Sequence, residues 1–185
     1  MYLYHYFEKS RGPFLTLSDL SKENAAKILN DLKNENSNLV PPDIEWFLNR
    51  RYELEKIVYK KFIKKGGKPI RKCPHHLTVE KCEYLKTWYL EPCYVKIHIS
   101  EFDFNTVSFT YGDMFPVFNP RLDNGEEYRN KVYNYKEIID LIEKYGLPQL
   151  SDRQYEFDAE CYIEACVWSD SPINNYRENW LSKNK

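Results

Sequence analysis

The segment that most constrains the fold lies near the C-terminus, where residues 161–168 have the sequence CYIEACVW. Side chains on a β-strand point alternately to the two faces of a sheet. This alternation predicts that Ile163, Ala165 and Val167 face a core, while Glu164 lies mid-strand on the other face. That second face also carries Tyr162, Cys166 and Trp168. A carboxylate among such side chains is poorly hydrated and is a candidate for chemistry. The alternative is an ordinary outward glutamate on a hydrated sheet face.

Helical patterns occupy three other stretches. Ser21 can cap a helix that runs through about Asn36, and Asp43 opens a longer helix that ends near Lys65, before two glycines. Asn134 with a glutamate three residues later predicts a capping box. Strand patterns cover residues 2–7, 76–79, 87–90, 94–100, 106–110 and 161–168. This uneven order predicts an α+β fold in which small mixed or antiparallel sheets pack with two or three helices.

The chain has 185 residues, enough for one domain with a substantial core. We expect a single α+β domain over residues 1–177, followed by a loose polar tail over residues 178–185. The sequence shows no secretory signal and no apolar run of the ~20 residues that a membrane helix needs. We therefore expect a cytoplasmic protein without a membrane partner, whose five cysteines are free thiols.

Positive charge is concentrated between Arg50 and Lys72, although the net charge of the chain is −1. Such a run is typical of a solvated helix face or of a surface that meets phosphates. In the second case the chain is a non-catalytic nucleic-acid or protein-binding module that uses the basic helix 43–65. The residues expected to contact nucleic acid are Lys60, Lys61, Lys64, Lys65 and Arg71.

Two adjacent arginines in the long helix point in different directions. Arg51 falls on the apolar stripe of the helix, next to Leu48 and Leu54, whereas Arg50 is turned about 100° away from it. An arginine on an inward stripe either meets an anion or extends its charged end out of the core rim. Arg51 is therefore a second candidate for a functional role.

Cysteine and histidine residues cluster between positions 73 and 93. Cys73 and His76 have the spacing of half a zinc site, but Cys82 and Cys93 are too far apart for the other half, and His75 and His76 would point to opposite strand faces. A zinc-stabilised protein stays open as an alternative, and we assign no metal ligand. The Walker, G-x-G-x-x-G, H-E-x-x-H and G-x-S-x-G motifs are absent, which disfavours nucleotide kinases, Rossmann enzymes, zincins and common hydrolases.

Several short motifs, taken in order, resemble the ADP-ribosyltransferase superfamily, and in particular the DarT-type toxins that modify single-stranded DNA with NAD. These proteins have a Tyr-His first strand, an Arg pair in a helix before a Gly-Gly turn, a Phe-Thr-x-Gly segment and a late strand with the catalytic glutamate. The corresponding residues here are Tyr4-His5, Arg50-Arg51, Gly66-Gly67, Phe109-Thr110-Tyr111-Gly112 and Glu164. Tyr111 stands where the family more often has aspartate, and Tyr162 stands where arginine-modifying members have a second acid.

The resemblance implies an NAD-dependent ADP-ribosyltransferase that acts on a macromolecule, with nucleic acid as one candidate acceptor, in a toxin or defence role with an antitoxin or other protein partner. Glu164 and Arg51 would be catalytic. Glu164 would stabilise the positive charge that develops on the ribose, and Arg51 would hold the pyrophosphate or assist the nucleophile. The residues implied to bind NAD are Tyr4, His5, Arg50, Thr110 and Tyr111, with His5 at the ribose or adenosine and Tyr111 stacked on the nicotinamide.

Overall fold

The computed structural model of the protein describes residues 1–35, 40–150 and 161–184. Within these ranges the chain forms five strands and five α-helical segments. The strands are β1 (Tyr2–Glu8), β2 (His75–Val79), β3 (Pro92–His98), β4 (Val107–Thr110) and β5 (Glu164–Val167). The helices are α1 (Lys22–Asn34), α2 (Ile44–Lys64), the single turn α3 (Met114–Val117), α4 (Tyr135–Tyr145) and α5 (Ile173–Lys183). This arrangement confirms the α+β class.

The five strands form one sheet in the order β3-β1-β2-β5-β4, and every neighbouring pair is antiparallel. The sheet is therefore not mixed. Thr78 of β2 pairs with Tyr4 of β1 on one side and with Glu164 of β5 on the other, and Glu164 in turn pairs with Thr110 of β4. This register places the four side chains in one row across one face of the sheet.

One face of the sheet packs against α4 and α5. Leu77, Phe109 and Ala165 point to this side and share a buried cluster with Ile138 of α4 and Ile173 of α5. Ile163 and Val167 belong to the same cluster, as their alternation predicts. Because the amide and carbonyl groups of the strands are paired within the sheet, this apolar layer buries little unsatisfied polarity.

The opposite face packs against α2 and α3. Cys166 and Trp168 lie there with Leu54, Val58 and Phe62 of α2, and Trp168 is fully buried. The Trp168 indole donates a hydrogen bond of 2.8 Å to the hydroxyl of Ser108. A separate ring cluster, which contains Tyr4, Tyr6 and Tyr162, covers the part of this face nearer β1. Both faces are covered, so the polar residues beneath α2 are buried.

The helix starts follow their sequence signals. Ser21 accepts a hydrogen bond from the Asn24 amide at the start of α1, and Asp43 accepts one from the Trp46 amide at the start of α2. The capping box before α4 is present as predicted. The α1 end predicted near residue 36 lies outside the described residues.

The two or three helices expected are five helical segments among the described residues, and two predictions about single elements are also wrong. The predicted strand over residues 87–90 is absent, and Glu83–Trp88 forms 3₁₀ turns whose Leu85 is buried against the ring cluster. The expected loose tail from residue 178 is instead part of α5 as far as Lys183, while residue 185 lies outside the described range. Trp180 of this helix packs edge-to-face on Phe7 at 5.3 Å between ring centroids, which gives the C-terminal turn a partner. None of the helices in the described residues is both long and apolar enough to cross a membrane.

Candidate active site

Glu164 begins β5 beneath α2 and is only 6% exposed. The alternative that it faces water on a hydrated sheet surface is therefore wrong. Its Oε1 accepts a hydrogen bond of 2.6 Å from His76 Nδ1, and its Oε2 accepts one of 2.9 Å from the Met114 amide. Both carboxylate oxygens are thus held by fixed donors, which fixes the direction of the acid.

The Met114 donor exists because of the turn that follows β4. Thr110 donates its hydroxyl hydrogen to the Gly112 carbonyl at 2.7 Å, and Asp113 accepts the Phe115 amide at 2.7 Å as the N-cap of α3. This cap leaves the Met114 amide pointing at Glu164. The segment Thr110–Met114 therefore contributes to the site through its backbone shape.

A second buried acid lies on the other side of His76. His76 Nε2 is 3.0 Å from Oε1 of Glu55 on α2, and Glu55 is 3% exposed. The same Glu55 oxygen accepts a hydrogen bond of 2.6 Å from the Ser18 hydroxyl and lies 3.1 Å from Arg51 Nε. Arg51 Nε also donates to Ser18 Oγ at 2.9 Å. The result is a continuous network of hydrogen bonds and ion pairs that runs from Glu164 through His76 and Glu55 to Arg51.

The charged side chains of this network stabilise one another. Burial and Arg51 lower the pKa of His76, but the hydrogen bonds to Glu164 and Glu55 outweigh them and raise it above its ordinary value. Burial raises the pKa of Glu55, but its bond to His76 and the charge of Arg51 lower it on balance. Each ring nitrogen of His76 faces a carboxylate oxygen, an arrangement that favours the protonated ring because both nitrogens can then donate.

A third acid borders the site. Asp113 Oδ2 accepts a hydrogen bond of 2.7 Å from the Tyr162 hydroxyl. Burial and the nearby Glu164 raise the pKa of Asp113 to about 6, and burial together with Asp113 raises that of Tyr162. The nearby Glu164 thus disfavours the ionised form of Asp113, and a buried acid perturbed in this way is often found at a functional site.

A groove of about 510 Å³ opens beside the site, between α2 and the segment before β2. Glu55 forms part of its wall, as do the rings of Tyr52 and Tyr59. Its other lining residues are Lys56, Lys60, Lys72 and Cys73. The three lysines form no ion pair with any residue that the structure describes. Rings and unpaired cations together suit an anionic ligand that carries a flat ring.

The structure brings four of the predicted site residues to one face. Tyr4 and Thr110 lie in the same cross-sheet row as Glu164, and Arg51 reaches the row through Glu55 and His76. Arg51 is 17% exposed, and among the described residues none accepts a hydrogen bond from its two Nη groups. These donors are available to an anion.

Two other predicted residues lie on the opposite face. Tyr111 is 4% exposed within the cluster over α4, and its hydroxyl donates to the Gly146 carbonyl at 3.0 Å. His5 stacks on Phe14 at 4.4 Å, and both of its ring nitrogens bond to the backbone, Nδ1 to the His76 carbonyl and Nε2 to the Phe14 amide. Because strand neighbours alternate, Tyr4 with His5 and Thr110 with Tyr111 cannot share one cleft.

Arg50 is also removed from the site. It pairs with Glu53 at 2.8 Å and donates to the Phe118 carbonyl at 2.8 Å, so it fastens α2 to the end of α3. The expectation that Arg50, His5 and Tyr111 join Glu164 in one cleft is therefore not met.

The five basic residues predicted to form one surface have different environments in the structure. Lys60 lines the groove, but Lys61 lies over the Phe118 ring, Lys65 pairs with Glu137, and Arg71 pairs with Asp19 and Asp170. Lys64 is exposed near the end of α2. Of the five residues predicted to contact nucleic acid, two are thus neutralised by acids of the same chain.

The cysteine and histidine residues considered for zinc do not assemble. His75 bonds to Asp170 at 3.0 Å, Cys82 is buried in the ring cluster, and Cys93 lies on the edge strand β3. Among the described residues, a different trio places its ligand atoms together, namely His76, Glu164 and Cys166.

Sequence reasoning missed Glu55, Ser18 and Asp113 as members of the site, and it considered His76 only as a possible zinc ligand. The spacing of Arg51 and Glu55, one helical turn apart on the inward stripe, was a usable signal for a buried ion pair. Ser18 and Asp113 gave no such signal, because their positions depend on how distant loops pack.

Comparisons with protein-family models, with curated proteins and with solved structures found no match for this chain. The site must therefore be interpreted from its own chemistry.

Proposed function

We propose that this chain is an NAD-dependent ADP-ribosyltransferase that uses Glu164 as its catalytic carboxylate. The observation that carries the proposal is the fixed, nearly buried Glu164, bonded to His76 and linked through Glu55 to Arg51 beside an open groove. A carboxylate held in this way is preorganised to stabilise positive charge. The resemblance in motif order supplies the reaction class.

The reaction breaks the bond between C1′ of the ribose and the nicotinamide nitrogen, and nicotinamide leaves with the bonding electrons. The ribose then carries positive charge, which the ionised Glu164 stabilises. An acceptor nucleophile attacks C1′ and gives up its proton, for which Glu164 is the nearby base. His76 keeps the carboxylate oriented throughout, and Glu55 keeps His76 in place.

The groove supports a site for the donor's anionic part. Lys56, Lys60 and Lys72 would neutralise the pyrophosphate, and Tyr52 or Tyr59 would offer a ring face to a base. Arg51, with its two Nη groups unbonded to described residues, pairs with Glu55, which lines this groove and also contacts His76. The donor-binding set proposed here is thus Arg51 with the groove residues, in place of His5, Arg50 and Tyr111.

The test measures nicotinamide release from NAD by the purified chain, alone and with single-stranded DNA, RNA or cell protein. Glu164→Gln should lower the rate by about 10²–10³-fold, because the developing cation loses its counter-charge. Glu53→Gln is the matched control, since Glu53 is an exposed carboxylate on α2 and should leave the rate unchanged. Thermal melting of both variants separates lost chemistry from lost folding.

Two results would contradict the proposed enzymatic function. If the wild-type chain neither binds NAD nor releases nicotinamide with any of these acceptors, the proposal fails. If it instead binds nucleic acid in a salt-sensitive way that survives Glu164→Gln but weakens when Lys56, Lys60 and Lys72 are changed together to alanine, the non-catalytic binding module is the better description.

A further inference from the structure

Three potential metal ligands meet on the face of the sheet beneath α2. Cys166 pairs directly with His76 across the β2–β5 ladder, and Glu164 lies two residues before Cys166 on the same face. The ligand atoms of the three side chains all lie within 4.8 Å of one another. A tetrahedral zinc site, with bonds of about 2.0–2.3 Å, places its ligand atoms about 3.3–3.7 Å apart. Small side-chain rotations therefore bring the trio to that spacing.

His76 is already oriented as a metal-binding histidine would be. Its Nε2 faces the Glu55 carboxylate at 3.0 Å, and Glu55 is in turn held by Ser18 and Arg51. Histidine ligands commonly donate the proton of their second nitrogen to a carboxylate in this way, which fixes the tautomer and the ring direction. The other nitrogen, Nδ1, points at Glu164 and becomes available to a metal ion once its proton leaves.

Metal ligands bind in their deprotonated forms, so entry of a divalent ion displaces the thiol proton of Cys166 and any proton on His76 Nδ1. The thiolate and the carboxylate of Glu164 then offset the charge of the ion within the buried cluster.

We propose that His76 Nδ1, Glu164 Oε1 and Cys166 Sγ form a binding site for a thiophilic divalent cation of the Zn²⁺ type. One nitrogen, one oxygen and one sulfur ligand match the donor preferences of Zn²⁺ and leave a fourth position for water. The hydrogen bond between His76 and Glu164 opens as the ion takes the place of its proton. His76, whose side chain is 19% exposed, is the ligand nearest to solvent.

Metal binding and the proposed catalysis exclude each other, because both need the free carboxylate of Glu164. If the chain is an ADP-ribosyltransferase, Zn²⁺ inhibits it by removing the carboxylate from the ribose. This regulatory consequence rests on the proposed function, whereas the metal site itself does not.

The test uses Co²⁺ as a spectroscopic probe on the metal-free full chain. We expect visible bands typical of a four-coordinate ion and a near-ultraviolet thiolate-to-Co²⁺ band, both saturating at about one ion per chain and both removed by Zn²⁺. Cys166→Ser should abolish the near-ultraviolet band. The matched control is Cys82→Ser, an equally buried cysteine in the ring cluster that should keep both sets of bands.

Glu164→Gln provides a second variant should Cys166→Ser fold poorly, and it should weaken Co²⁺ binding by about tenfold or more. The metal site is disproved if wild-type protein shows no thiolate band, or if the band survives Cys166→Ser. Absence of nicotinamide release in the separate NAD assay would remove the proposed enzyme and leave the Co²⁺ spectra unaffected. The two failures are therefore distinguishable.

Discussion

His5 is kept neutral by the backbone around it. Its Nε2 accepts the Phe14 amide at 2.8 Å, which a protonated nitrogen could not do, and Nδ1 then donates to the His76 carbonyl at 3.1 Å. Burial lowers the pKa of His5 from 6.5 to about 4. The role of His5 in this structure is to join β1 to β2 and to hold Phe14, whose φ of 60° is unusual for a residue with a side chain.

This arrangement predicts a pH dependence of stability. Between pH 6.5 and about 4, His5 is protonated in the unfolded chain but stays neutral in the folded chain. The contribution of neutral His5 to the free energy of unfolding is therefore fully present above pH 6.5. This contribution is lost as the pH falls towards 4, and the loss reaches about 3 kcal/mol. Urea unfolding at about pH 7 and about pH 4.5 should show a larger fall for wild type than for His5→Gln.

His98→Gln is the control for this measurement, because His98 lies on the edge strand β3 and bonds to neighbouring Ser100. That variant should retain the wild-type difference between the two pH values. An NMR titration in which the His5 ring gains its proton near its ordinary pKa would contradict the argument.

At the scale of single elements, the end of α2 depends on a close approach between its last turn and the following glycines. A Cβ atom added at Gly67 would lie 2.6 Å from ring atoms of Phe62, and Phe62 is 1% exposed and cannot move aside. At Gly66 the space is open, and the obstacle is only a φ of +85°.

Substitution of the two glycines by alanine should therefore lower the free energy of unfolding by different amounts. Gly67→Ala should lower the free energy of unfolding by about 3 kcal/mol through overpacking, and Gly66→Ala by about 1 kcal/mol through backbone strain. Urea denaturation of the two variants measures both values against the same wild type. Equal losses, or a larger loss at Gly66, would mean that Phe62 does not lie against the glycine turn.

The helices could be predicted because their signals are local. Ser21, Asp43 and the Asn134 capping box act within one turn of the chain, and each is confirmed. The candidate site depends on pairings between distant segments. His76 and Glu164 are 88 residues apart in the sequence, and only the register of β2 against β5 brings them together. No local pattern encodes that register. From the sequence alone, His76 is therefore a candidate only for the zinc site, together with the cysteines.

At the scale of the whole molecule, the sheet separates residues that are adjacent in sequence. Because both faces are covered, neighbouring residues of β4 and β5 point alternately to the layer of α4 and α5 and to the layer of α2 and α3. The motif Phe109-Thr110-Tyr111 is divided in this way, with Thr110 beside Glu164 and both rings in the opposite core. A motif that matches in order can therefore differ in which of its residues reach a site.

Tyr111 provides the sharpest test of this division. Tyr111→Leu removes a ring packed against Tyr128 and the hydroxyl bond to Gly146, so it should lower the free energy of unfolding by about 2 kcal/mol or more. If NAD is the donor as proposed, the affinity of the folded fraction for NAD should stay within about twofold of wild type, because Tyr111 lies in the cluster on the α4 side of the sheet. Isothermal titration and urea denaturation measure the two quantities separately.

Thr110→Val is the matched change on the other face of the same strand. It removes the hydroxyl bond to Gly112 that shapes the turn before Met114, and Met114 donates to Glu164. We expect it to reduce nicotinamide release more than Tyr111→Leu does, although it costs only about 1 kcal/mol of stability. The reverse pattern, with NAD affinity lost at Tyr111 and stability retained, would place the donor on the α4 side of the sheet. Glu164 could not then reach the ribose, because the sheet itself would lie between them.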